Sequence, residues 1–157
     1  MKKMIFMGQS GSGKTTLIEA LRGEALVYRK TQCIDYSDEL IDTPGEYTEG
    51  NDLGGALAVY TYEADVVALV LPATADFCVF PPACAPVANR PVVGVVTKCD
   101  RPDADAETAK MRLLLCGCER VFFTSSKTGQ GINELLDFLE APKKEKTTQK
   151  QTKTTKS

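Results

Sequence analysis

One eight-residue stretch constrains this chain more than any other: Gly8-Gln9-Ser10-Gly11-Ser12-Gly13-Lys14-Thr15, set directly behind the apolar run Met4–Met7. It matches the pattern GxxxxGK[ST] at every position. An ordinary turn between a strand and a helix needs one or two glycines, whereas three precede Lys and Thr here. Glycines at these places let the main chain wrap round a phosphate with its N–H groups turned inward, and the helix N-terminus behind them adds a favourable dipole. Lys14 is then placed to reach β- and γ-phosphates, and the Thr15 hydroxyl to enter the shell of a Mg²⁺ ion. The candidate nucleotide-binding set from this segment is Gly8, Gln9, Ser10, Gly11, Ser12, Gly13, Lys14, Thr15 and Thr16, with Lys14 also a candidate catalytic residue.

Such a loop works between a buried strand and a helix, and the rest of the chain reads as a frame of that kind. Met4–Met7 reads as a buried parallel strand. Lys14–Arg22 carries Leu17, Ile18 and Leu21 on one face and reads as a helix stopped by Gly23. Tyr36–Ile41 alternates and reads as an edge or near-edge strand; Asp65–Leu71 and Pro91–Thr97 are β-branched, continuous and central. Gly54–Glu63 is a weak helix, Asp103–Leu115 a helix, Glu119–Thr124 a strand, and Ile132–Leu139 a last helix with Ile132, Leu135, Leu136 and Leu139 on one face. Thr74–Asn89, with three prolines, has room only for a short helix. Strands alternating with helices imply an α/β domain with a mostly parallel central sheet covered by helices on both faces. The expected division is one domain over residues 1–141 and a disordered tail over 142–157, rich in Lys, Thr and Gln.

Charge and composition then exclude several classes. The net charge of −2 divides into +5 on the tail Pro142–Ser157 and −7 on the remainder. An acidic body argues against a primary nucleic-acid binder. No apolar run approaches the roughly 18–20 residues that span a bilayer, and the apolar part of MKKMIFMG is too short for a signal peptide. With no histidine, Ser-His and Cys-His catalysis are unavailable. The six cysteines include no CxxC, and Cys116-x-Cys118 lacks the usual zinc spacing, so reduced thiols in a cytoplasmic protein are expected. The tail is expected to be solvated, with docking onto an acidic partner as the alternative.

Further motifs complete a nucleotide site. Asp42-Thr43-Pro44-Gly45 follows a strand, 28 residues after Lys14. The Asp42 carboxylate can hold Mg²⁺ through a water, and the Gly45 N–H can meet a γ-phosphate. Thr31, between the two elements, can add its hydroxyl to the metal shell, so the metal set is Thr15, Thr31 and Asp42. Thr97-Lys98-Cys99-Asp100 ends a central strand at the carboxyl edge, where ligands bind in such sheets. The Asp100 carboxylate can accept both N1–H and the exocyclic amine of guanine; adenine lacks that N1–H, and a mismatch forfeits roughly 1–3 kcal/mol per bond. Ser125-Ser126-Lys127 ends the next strand and offers a backbone N–H to guanine O6. The base-binding candidates are thus Thr97, Lys98, Asp100, Ser125, Ser126 and Lys127, and the expected ligands are GTP or GDP with Mg²⁺, with ATP as the alternative.

In this order, GQSGSGKT, Thr31, DTPG, TKCD and SSK resemble the motif set of small GTPases. More narrowly, YRKTQ at Tyr28–Gln32, IDTPGEY at Ile41–Tyr47 and LGGALAVYTYEADVVALVL at Leu53–Leu71 resemble the EutP/PduV family of ethanolamine and propanediol utilisation proteins, over about residues 1–141. The resemblance implies a small-GTPase-like P-loop domain with slow, Mg²⁺-dependent GTP hydrolysis, in a cytoplasmic protein linked to bacterial microcompartments and their shell or enzyme partners. It also implies, as the alternative, an ATP-dependent phosphotransferase of the acetate kinase type, for which Arg22, Arg29, Lys30 and Arg90 are the available cations. Two positions depart from the common GTPase pattern: Thr97 stands where many have Asn, and Glu46 where many have Gln. A carboxylate is repelled by a γ-phosphate but can position or deprotonate water, so Glu46 joins Lys14 and Gly45 as a candidate catalytic residue.

Overall fold

The structure is a computed structural model; it describes residues 2–9, 11–29, 40–43 and 64–141, with the backbone alone for residues 24–29 and Asp42. Five strands form one sheet: β1 (Met4–Met7), β2 (Leu40–Asp42), β3 (Val66–Pro72), β4 (Val92–Thr97) and β5 (Val121–Phe123). Among the described residues three helices accompany them: α1 (Lys14–Arg29), α2 (Ala106–Leu115) and α3 (Ile132–Glu140). The strand order is β2-β1-β3-β4-β5, and every described pairing is parallel. The order reverses at β1, which opens a crevice beside β3 at the carboxyl edge, the usual ligand position in such sheets.

The strands are apolar on both faces because each face carries its own core. Val66, Ala68 and Val70 of β3 point with Met4, Phe6, Val93 and Val95 into a layer closed by Leu17, Ile18 and Leu21 of α1 and Ile132, Leu135, Leu136 and Leu139 of α3. Val67, Leu69 and Leu71 point the other way, with Ile5, Met7, Val92 and Val96, towards Ala109 and Leu113 of α2. This is the period of two expected of strands sandwiched between helices. Each fully buried leucine of α3 stabilises the fold by about 1.5–3 kcal/mol. Gly94 of β4 lets α2 approach closely: a Cβ there would lie 2.8 Å from Leu113 Cδ1 and 3.0 Å from its Cβ.

Several element bounds differ from expectation, each for a local reason. Helix α1 continues through Gly23 to Arg29. Gly23 is exposed, and among the described residues nothing crowds it; a mid-helix glycine costs only about 1 kcal/mol and need not stop a helix. Helix α2 starts at Ala106, not Asp103, because the Asp105 side chain accepts the Thr108 N–H (3.1 Å) and hydroxyl (2.7 Å) and so caps the helix. The proline-rich segment yields one 3₁₀ turn, Ala85–Ala88. The expected helix at Gly54–Glu63, the start of the strand at Tyr36–Ile41 and the tail from Pro142 lie outside the described residues.

The contact between Gly94 and Leu113 gives a prediction. Gly94→Ala should destabilise the protein by about 1–3 kcal/mol through overpacking. In a Leu113→Ala background the same change should cost clearly less, because the vacated space accepts the methyl group. Urea unfolding of the four members of this cycle measures the coupling.

Candidate functional site

The phosphate loop leaves β1 at Gly8 and enters α1 at Lys14. Gly8 has no room for a side chain: a Cβ would meet the Val70 carbonyl oxygen and Ser12 Oγ, both at 2.8 Å. Gly11 and Gly13 adopt φ of +81° and +94°, the left-handed region that glycine enters freely. The Ser12 N–H donates to Gln9 O (3.1 Å), tightening the loop, and the Leu17 N–H donates to Gly13 O (2.9 Å), starting the helix. Lys14 is buried at the loop's end, while Thr15 and Thr16 are exposed. Ser10 lies outside the described residues.

The end of β4 grips this loop. The buried Thr97 hydroxyl donates to Ser12 O, and Lys98 Nζ donates to Gly11 O (2.8 Å). Lys98 does this from a φ of +60°, which is uncommon for a residue with a side chain and is the kind of local strain found at functional sites. The Thr97 hydroxyl thus bonds to the phosphate loop at the position where Asn is common.

The strand ends of β4 and β5 are bound to each other. The Cys99 N–H donates to Thr124 O (3.2 Å), and the Ser125 hydroxyl donates to Asp100 Oδ1 (2.8 Å) while accepting the Thr128 N–H (3.2 Å). The Ser125 N–H is engaged with Gln130 O (3.0 Å), so in the segment Ser125–Lys127 the donors to consider for a base are those of Ser126 and Lys127. Asp100 is exposed, and the Ser125 hydrogen bond, helped by Lys127 and Arg101, holds its carboxyl below the usual carboxylate value. It is therefore a charged acceptor at neutral pH.

On the other side of β1, Asp42 pairs in register with Phe6, and the buried Thr43 hydroxyl donates to Phe6 O (2.7 Å). That anchor was not among the sequence candidates, although a threonine inside DTPG at the end of a strand was a visible signal. The side chain of Asp42, and all of Thr31, Gly45 and Glu46, lie outside the described residues. Of the cations considered for an acyl phosphate, Arg22 donates to Leu40 O (3.3 Å) and Arg90 to Ala64 O (3.0 Å), the latter at the amino end of β4, away from the phosphate loop. The Arg29 side chain and Lys30 are not described.

Gly8, Gln9, Gly11, Ser12, Gly13, Lys14, Thr97 and Lys98 therefore form one continuous structure at the carboxyl edge, with Asp100, Ser125, Ser126 and Lys127 beside it. The fit to a phosphate rests on the donors as well as the motif. Ser12 Oγ is buried and has no hydrogen-bond partner among the described residues, a state that native proteins rarely leave uncompensated.

The fold and this loop define a P-loop α/β domain of the small-GTPase type. The G-domain of FeoB from Methanococcus jannaschii has the same fold: TM-score 0.58 at 21% identity, covering 87% of this chain and 94% of that one. The family pattern PduV-EutP, ethanolamine utilisation and propanediol utilisation, matches residues 1–141, and the chain belongs to that family. Propanediol utilisation protein PduV of Citrobacter freundii is 44% identical over 142 residues, 90% of this chain and 95% of that protein. The Salmonella typhimurium protein named "Probable acetate kinase EutP" is 36% identical over 146 residues, 90% and 91% of the two chains. Among the described residues no helix is long and apolar enough to cross a membrane.

The bond between Asp100 and Ser125 can be tested by titration. Ser125→Ala removes a donor to the charged carboxylate, so the Asp100 pKa should rise towards the usual carboxylate value, read by carboxyl ¹³C NMR. The sign follows from linkage: a depressed folded pKa stabilises the fold above the unfolded value and loses that contribution as pH falls through the folded one. The Ser125→Ala protein should accordingly lose less stability than wild type on acidification.

Proposed function

We propose that the protein binds GTP and GDP with Mg²⁺ and hydrolyses GTP slowly, as a nucleotide-dependent factor in ethanolamine or propanediol utilisation. The observation that carries this reading is the direct bonding of the segment Thr97–Lys98 to the phosphate loop, with the ionised Asp100 next in line. A base reader joined to a phosphate cradle by hydrogen bonds is what a guanine nucleotide requires at its two ends.

Each residue then has a task. Gly8–Gly13 cradle the phosphates, Lys14 places its charge on the β- and γ-oxygens, and Ser12 Oγ gains a partner. Thr15, Thr31 and Asp42 are the residues to hold Mg²⁺, which, when bound, neutralises charge on the phosphate oxygens. Gly45 offers its N–H to the γ-phosphate, and Glu46 positions or deprotonates the attacking water. Asp100 accepts the guanine N1–H and amine, and Ser126 and Lys127 supply main-chain donors for O6. Segments 28–33 and 45–54 are the parts to change with the state of the nucleotide. A place in the cytoplasm, at or near a microcompartment shell, suits this role.

A second reading has one specific support, the acetate kinase name carried by the 36% identical Salmonella relative. It requires phosphoryl transfer from ATP to acetate, so ADP release must depend on acetate. Turnover that ignores acetate removes it.

Two substitutions test the main reading. Lys14→Ala should weaken GTP binding roughly hundredfold or more, the loss of one or two charge-assisted bonds of about 1.5–3 kcal/mol each, with an unchanged circular dichroism spectrum. Tight GTP binding by that variant contradicts the assignment. Asp100→Asn should weaken GTP by about ten- to hundredfold and favour xanthosine triphosphate, whose C2 carbonyl can accept from the new amide. Fluorescent-nucleotide displacement reads both, and unchanged base preference in Asp100→Asn excludes Asp100 as the base reader.

A further inference from the structure

Five thiols are described, and four of them, Cys78, Cys84, Cys116 and Cys118, lie together where the segment after β3 packs on the C-terminal end of α2, outside the nucleotide site. Buried cysteine is commonly a small apolar packing residue, and Cys84, Cys116 and Cys118 fit that description. Cys78 does not. It is only half-buried, and its Sγ lies 3.9 Å from Cys116 Sγ across 38 positions of sequence. The turn before it is tied to α2 by Arg112, whose guanidinium donates to Ala75 O and Asp76 O, both at 2.9 Å. Cys116 is 1% exposed, its Sγ 3.3 Å from Arg112 O and 3.7 Å from Phe80 O. Cys78 is therefore the partly exposed residue of the pair, and Cys116 the buried one behind it. Among the described residues no three His, Cys, Asp or Glu side chains are grouped to hold a metal ion.

The charges divide the labour. The Cys116 hydrogen bond, with smaller help from Phe80 and Arg112, lowers the Cys78 thiol to about 7 against the opposing effect of burial. Cys116 is pushed up by its hydrogen bonds with Cys78 and Cys84 and by burial, and burial raises Cys118 to about 12. Cys84 is also lowered by Cys116, but it is buried. A thiolate on a partly exposed residue, with a protonated thiol behind it, is the arrangement of reversible redox cysteines.

We propose that Cys78 and Cys116 are a peroxide-oxidisable pair, with Cys78 the attacking sulfur and Cys116 the resolving one. The Cys78 thiolate attacks one oxygen of a hydroperoxide; the O–O bond breaks, and the leaving oxygen takes up a proton as alcohol or water. Cys78 is now a sulfenic acid, oxidised by two electrons as the peroxide is reduced. Cys116 then loses its proton and attacks the Cys78 sulfur; the S–S bond forms, the S–O bond breaks, and hydroxide departs with that proton as water. Closure needs the sulfurs to approach by roughly 2 Å. The disulfide would lock the segment after β3 to the end of α2.

The test uses the reduced full chain and about one equivalent of hydrogen peroxide near neutral pH. The expected result is a loss of about two mass units, the two thiol hydrogens, with a non-reducing peptide map linking Cys78 to Cys116 and reversal by dithiothreitol. Cys78→Ser should abolish the link, and Cys116→Ala should accumulate Cys78 as a dimedone adduct. If Cys116→Ala does not fold, the wild-type map and Cys78→Ser still decide. Cys78 remaining a free thiol in excess peroxide, or Cys116 pairing with Cys84 instead, overturns the proposal.

Discussion

The hold of β4 on the phosphate loop is the interaction on which the rest of the site depends. A loop with glycines at 8, 11 and 13 has many conformations open to it, and ordering each residue costs roughly 1–2 kcal/mol in backbone entropy. The Thr97 hydroxyl on Ser12 O and the Lys98 ammonium on Gly11 O select one of them. The same residues begin the segment that ends at Asp100. The phosphate loop and the segment proposed to read the base are therefore one hydrogen-bonded unit, and a disturbance in either is felt in the other.

That unit is placed by packing below it. Strand β1 delivers Gly8 into the crevice beside β3, where the Val70 carbonyl leaves no space for a side chain. Strands β4 and β5 bring their ends to the same edge because both are parallel to β1 and β3. Gly131 repeats the device at the start of α3, where a Cβ would strike the Phe123 carbonyl oxygen. Close approach of helix to sheet, made possible by Gly94 and Gly131, keeps the strand ends in register, and the register sets the site.

Much of this was legible in the sequence, and the limits have physical causes. Continuous β-branched runs declared β3 and β4, and the spacing of Ile132, Leu135, Leu136 and Leu139 declared α3, because burial on both faces of a sheet and one face of a helix leaves those patterns. The family was legible from long, specific stretches such as LGGALAVYTYEADVVALVL. Helix bounds were less so: whether Gly23 stops α1, or whether α2 starts at Asp103 or behind a cap at Asp105, turns on about 1 kcal/mol. Within the site, the motifs marked Thr97, Lys98, Asp100 and Ser125, but not which atoms they bond. That Lys98 reaches Gly11, that Ser125 spends its N–H on Gln130 and its hydroxyl on Asp100, and that Thr43 holds Phe6 are tertiary facts that no local pattern encodes. The pairing of Cys78 with Cys116 is of the same kind, hidden from spacing rules that look for neighbours.

The central claim is that the segment carrying Asp100 reads guanine for a phosphate loop to which it is bonded. The most direct measurement is a competition titration of the purified protein with GDP, GTP, ADP and ATP in the presence of Mg²⁺. Guanine nucleotides should win by about a hundredfold or more, the scale set by unpaired hydrogen-bonding groups in a mismatched site. Equal or tighter binding of ATP would contradict the account and bring ATP-dependent phosphoryl transfer forward as the function of the fold.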